Sequence, residues 1–167
     1  MRRTNFVKRF IVLVAMVLLA GAAVYAENNA AAEQAMLELV KKYDKEKGVK
    51  SITVTKGRGL EIVKLLLNDK MGKTFMKGVT SITIIEYGGA SAEVCEELRK
   101  EVDIFSSILT EFNMSEVKKA PQGDYSRGFV NVVDADEGRV SDFLVAVETD
   151  EMKSIIYMKG NIILQAP

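Results

Sequence analysis

The sequence predicts an α+β domain behind an export leader. Three observations carry this. Between residues 27 and 113, apolar residues at helical spacing alternate with short β-branched runs. After Met114 the apolar period drops from 3.6 to 2, and short Gly-, Asp- and Asn-containing turns separate the later runs. Two or three helix–strand units followed by an antiparallel meander imply a mixed sheet with helices mainly on one face.

The first 26 residues read as a secretory signal. Arg2, Arg3, Lys8 and Arg9 form a basic start, Phe10 to Val24 is an uncharged run, and Val24-Tyr25-Ala26 suits a cut between Ala26 and Glu27. The apolar run is shorter than the ~20 residues of a membrane span. An uncleaved inner-membrane anchor is the alternative. A lipoprotein would need a cysteine where Ala22 stands. Residues 27–167 then form a single domain, and without the leader the chain carries 19 basic and 23 acidic residues.

Residues 27–47 predict a helix. Asn28 or Asn29 can cap it, Ala30 to Ala32 favour it, and Met36, Leu39, Val40 and Tyr43 share one face. Gly48 offers the left-handed stop. Val49 to Thr55 alternates as a strand with one buried face. Leu60 to Met71 is a second helix, so apolar that it should be deeply covered. Val79 to Tyr87 is a second strand. Ser91 caps a third helix expected to reach about Asn113, with Val94, Leu98, Val102, Phe105, Leu109 and Phe112 as its apolar stripe. Strands are then expected near 116–120, 127–134, 139–148 and 152–158, with a tail at 161–164.

One internal echo links the first two strands. Residues 47–54, KGVKSITV, and 77–84, KGVTSITI, agree at six of eight positions. The echo predicts two similar helix-then-strand units, with parallel strands if a right-handed crossover joins them.

Composition closes several chemistries. There is no histidine, hence no imidazole base or imidazole metal ligand. A single cysteine, Cys95, excludes an intramolecular disulfide and a Cys-x-x-Cys pair. It sits beside the apolar stripe of the third helix, where burial is expected; exposed, it would link two chains. Balanced charge argues against a nucleic-acid partner. Thr55-Lys56-Gly57-Arg58-Gly59-Leu60 has the glycines and cations of a phosphate loop, but Ile62 replaces a required glycine, so a tight turn explains it. Asp134-Ala135-Asp136-Glu137-Gly138 has acids but not calcium-loop spacing, and reads as a hairpin turn. The acids elsewhere single out no catalytic pair. The terminal strand of the meander is the expected free edge, open to a partner strand and guarded by Lys153 and Lys159.

Several segments together resemble a known family. They are Glu97-Leu98-Arg99-Lys100-Glu101, the run Phe143-Leu144-Val145-Ala146-Val147-Glu148, the turn Thr149-Asp150-Glu151, and Ser154-Ile155-Ile156-Tyr157-Met158-Lys159-Gly160-Asn161-Ile162. With the leader and the strand after Gly48-Val49, they resemble the secreted Gram-negative bacterial family catalogued as domain of unknown function 4252. The resemblance implies export across the inner membrane and no established activity. The expected function is that of an exported, non-enzymatic envelope protein binding a protein or peptide partner, or itself. No cofactor and no metal are expected, and the membrane is met only through the leader. A periplasmic small-molecule or ion carrier is the alternative, and a hydrolase using carboxylates alone comes third.

Overall fold

The computed structural model describes residues 30–55, 57–71, 76–112, 125–150 and 152–163. The leader with Ala26 and Glu27, and the strand expected at 116–120, lie outside these. In chain order the elements are α1 (Ala30–Tyr43), β1 (Lys50–Val54), α2 (Gly57–Met71), β2 (Val79–Glu86), α3 (Ala92–Val102), a 3₁₀ turn (Asp103–Ser107), β3 (Thr110–Phe112), β4 (Tyr125–Asp134), β5 (Arg139–Glu148) and β6 (Lys153–Ile163). The strands form one six-stranded sheet in the order β1-β2-β6-β5-β4-β3, an α+β architecture.

The sheet is antiparallel throughout, not mixed. The echoed strands β1 and β2 are neighbours, but Val54 at the end of β1 lies opposite Ile82 near the start of β2. The chain between them therefore leaves and re-enters at the same end of the sheet instead of crossing over. The register pairs complementary side chains. Ile52 faces Ile84, Lys50 faces Glu86, and the hydroxyls of Thr53 and Thr83 lie 3.2 Å apart. Such cross-strand pairs stabilise a ladder, and a parallel arrangement would lose them.

Local chemistry sets the bounds of α1 and α3. After Tyr43 the chain turns, with the Glu46 N–H on the Tyr43 carbonyl (3.0 Å) and the Val49 N–H on the Glu46 carbonyl (3.1 Å), so α1 stops four residues short of the expected boundary. Gly48 has φ +82, and a Cβ there would strike the Gly89 backbone; only glycine fits both demands. The Ser91 hydroxyl accepts the Val94 N–H (3.2 Å) and caps α3 as expected.

The third helix ends at Val102, not Asn113. The hydroxyls of Ser106 and Ser107 donate to the carbonyls of Asp103 and Ile104, 2.7 Å each, a local bonding pattern that competes with helix propagation. Phe105 stays buried in the 3₁₀ turn, while Phe112 is reached by a strand. The Phe112 ring lies on Gly128 of β4, filling the space where a Cβ would be. The apolar spacing of this stretch fits both forms; the packing selects the second.

Both faces of the sheet are covered, unequally. α1, α3 and the 3₁₀ turn pack Met36, Leu39, Leu98, Val102 and Phe105 against Ile85, Phe129, Leu144, Ile155 and Tyr157. The opposite face carries Ile82, Val130, Phe143, Val145, Met158 and Ile162 under Leu60 of α2, with Val63 alongside. α2 is not deeply covered: Ile62 is 58% and Leu65 70% exposed. Of its described apolar side chains, Leu60 and Val63 pack on the sheet.

Candidate functional site

Three arrangements are candidates: two buried carboxylate clusters on the α1/α3 face, and the free edge at β1. Alternation along β5 turns Asp142, Leu144, Ala146 and Glu148 to one face. Leu144 and Ala146 join the core there, which draws both acids inside.

Glu148 is 4% exposed. Its Oε1 accepts the Tyr87 hydroxyl (3.0 Å) and the Nε of Arg99 (2.9 Å), and its Oε2 accepts a second Arg99 N–H at 2.5 Å. The fork-to-carboxylate match ties α3 to the sheet. Burial alone pushes the Glu148 carboxyl up, but the hydrogen bonds from Arg99 and Tyr87 and the charge of Arg99 outweigh it, and the net shift is downward. Burial first, then the neighbouring Glu148 charge, raises the Tyr87 hydroxyl. Arg99 is held cationic, chiefly by its bond to Glu148. Glu148 therefore stays ionised and Tyr87 protonated around neutrality, which suits a fixed tie and not a proton shuttle.

Asp142 is fully buried without a cation on its oxygens. Oδ1 accepts the Tyr157 hydroxyl (2.5 Å); Oδ2 accepts Ser141 Oγ–H (2.5 Å) and an Asn131 amide N–H (3.4 Å). Asn131 also donates to Ser141 Oγ (2.8 Å). Register shifts beside Val140 and Asn131 make this possible, because they free Ser141 from regular pairing and turn its side chain toward Asp142. Tyr157 is raised by burial and then by Asp142. Opposite Asp142 stands Lys159, whose ammonium pairs with Glu33 of α1. Asp142 and Glu148, six residues apart on one strand, are about 20 Å distant, beyond the reach of a paired-acid mechanism. Sequence reasoning missed both clusters. The available signal was an acid at each end of the apolar run Phe143–Val147.

The candidates singled out from sequence fall as follows. Cys95 is buried, with Lys153 Nζ 3.7 Å from its sulfur. The segment from Asp134 to Gly138 is the β4–β5 hairpin turn: Asp134 Oδ1 accepts the Glu137 N–H (3.1 Å), and Arg139 pairs with both Asp134 and Glu137. Gly57, with φ +74, opens α2 directly after β1, as a tight turn requires. Among the described residues no group of three or more acids or cysteines is placed to hold a metal, and no helix is long and apolar enough to cross a membrane.

The free edge is not where the meander suggested. β6, the terminal strand, lies inside the sheet between β2 and β5. Its insertion beside β2 joins the two halves of the chain and buries Ile155, Tyr157 and Met158. Among the described residues the edges are β1 and the three-residue β3. On β1 the hydrogen-bonding direction can be derived. The Tyr87 N–H donates to the carbonyl of Lys153, its direct opposite, so odd-numbered residues of β2 bond toward β6 and even-numbered ones toward β1. Lys50, Ile52 and Val54 face those even residues, and so Ser51 and Thr53 point their backbone N–H and C=O outward. On the α2 face of the same strand, Ile52 is 52% exposed and Val54 half-buried.

Compared with protein-family models, curated proteins and solved structures, the chain matches none.

Proposed function

We propose that the chain is an exported, non-enzymatic envelope protein that binds a protein or peptide partner, the partner adding an extended strand to β1. One observation carries this: among the described residues, β1 presents an unpaired row of backbone groups at Ser51 and Thr53 beside the exposed apolar side chain of Ile52. Backbone bonds at a sheet edge supply affinity, and alternate side chains supply selectivity. The leader pattern and the family resemblance support export. The engagement of Glu148 and Asp142 by neighbouring side chains supports binding over catalysis.

Selection of binders from a random peptide-display library tests it, with wild-type protein and Ser51→Pro compared. Proline at Ser51 removes an outward N–H and leaves the β1–β2 ladder intact. Enriched peptides that bind wild type and lose at least about tenfold in affinity for Ser51→Pro are expected. No enrichment, or equal binding to both, overturns the proposal.

A further inference from the structure

We infer that the strand received by β1 is acidic at its ends and apolar at its centre. The inference rests on strand addition at β1 and names the chemistry of the partner.

It comes from where the molecule leaves its positive charge unpaired. Away from β1, most of the described cations are engaged. Arg99 pairs with Glu148 and Glu96, Lys100 with Glu96, Arg127 with Glu111 and Asp103, Arg139 with Asp134 and Glu137, and Lys159 with Glu33. Around β1, Lys45, Lys47, Lys50 and Arg58 are exposed and form no ion pair among the described residues. Residues 41–65 hold eight cations against three carboxylates. The carboxylates nearby are Asp44, which accepts Ser51 Oγ–H at 3.5 Å, Glu46, Glu61, paired with Lys64, Glu86, opposite Lys50, and Glu101 of α3, paired with Lys42. The surplus stays positive.

Its distribution is as informative as its sign. Lys47 and Lys50 precede Ile52, and Arg58 follows it in the first turn of α2, so cations flank both ends of a five-residue edge. Between them lie the exposed Ile52 and half-buried Val54, with Val63 of α2 and Ile84 beside them on the same face. A complementary strand carries Glu or Asp at its ends and β-branched residues between. The same charges disfavour a second copy of this chain. Antiparallel pairing of two β1 edges about Ile52 would bring two surplus-positive segments together, and their net repulsion opposes the pair.

The test is fluorescence anisotropy of the purified protein with labelled peptides of about ten residues, Val/Thr-rich at the centre and carrying either Glu or Lys at both ends. The Glu peptide is expected to bind at least about tenfold more tightly than the Lys peptide, less so as salt rises, with the preference inverted in Lys47→Glu/Lys50→Glu. Both substitutions alter exposed side chains only, so this arm does not depend on how Ser51→Pro folds. Equal binding of the two peptides, or an unchanged preference in the charge-swapped protein, overturns the inference. If charge makes no difference but Ser51→Pro abolishes binding, strand addition survives and the acidic partner does not. If no peptide binds, or the Glu peptide binds Ser51→Pro undiminished, both fall. Two further outcomes also overturn it: phosphatidylglycerol vesicles, but not phosphatidylcholine vesicles, binding Ser51→Pro as tightly as wild type and displacing the peptide from wild type, which assigns the surface to lipid; and a concentration-dependent dimer lost in Ser51→Pro, which assigns it to a second copy.

Discussion

The two edges of the sheet are built on opposite principles. At the β3–β4 edge, Arg127 forms a fork with Glu111 (2.7 Å for both bonds), reaches Asp103 of the 3₁₀ turn, and lies 4.9 Å from the centre of the Phe129 ring. At the β1 edge, Lys45, Lys47, Lys50 and Arg58 form no ion pair among the described residues, and Ile52 is half exposed. Charge segregates in the same way along the chain: residues 86–112 hold seven carboxylates and two cations, the reverse of residues 41–65. One edge uses its charges to fix the fold; the other leaves them open to a partner.

The comparison can be broken first at its most buried tie. Glu148→Ala leaves Arg99 and Tyr87 without their acceptor and should cost about 3 kcal/mol in urea unfolding. A loss below about 0.5 kcal/mol would mean the pair does not hold α3 to the sheet. Next, Gly128→Val places a side chain where the Phe112 ring lies, and should cost about 2 kcal/mol through overpacking. Then Arg127→Ala should cost about 1 kcal/mol, combining a partly exposed ion pair with lost contact on Phe129.

Protonation tests the same tie more gently. Because the folded pKa of Glu148 lies below the ordinary 4.5, its contribution is complete above that value and is lost as pH falls through the folded pKa. Glu148→Gln should flatten the acid limb of a stability-against-pH curve, and an unchanged limb would rule Glu148 out as its source. On the alkaline side, Tyr87, Tyr125 and Tyr157 are all raised, chiefly by burial. Their contribution holds below the unfolded value near 10 and declines as pH rises beyond it. The smallest effect belongs to the open edge. Lys50→Ala and Ile52→Ser should change stability by no more than about 0.5 kcal/mol, and a larger loss would show that β1 serves the fold as the other edge does.

How much was legible follows from the range of the forces. The strand at Ile52-Thr53-Val54, the Ser91 cap and the turn at Asp134–Gly138 are local patterns and appear in the structure, but the buried face expected of that strand does not: Ile52 is 52% exposed and Val54 half-buried, because β1 lies at the sheet edge. The stretch from Asp103 to Phe112 was misread because its apolar spacing satisfies helix and strand alike; Gly128, distant in sequence, supplies the space that decides. Asp142 and Glu148 were hidden because an acid inside an apolar run has no visible partner until Tyr157, Asn131 and Arg99 arrive from other elements.

The sequence by itself determined the α+β class, the absence of imidazole chemistry and of an intramolecular disulfide, and the separation of positive from negative charge along the chain, since these depend on residue identity and near-neighbour periodicity. Only the tertiary structure decided that β1 and β2 run antiparallel, that β6 inserts beside β2, and that the free edge therefore falls on β1. Strand order and direction are set by side chains pairing across long sequence separations, such as Ile84 with Ile156, and no local pattern carries that information.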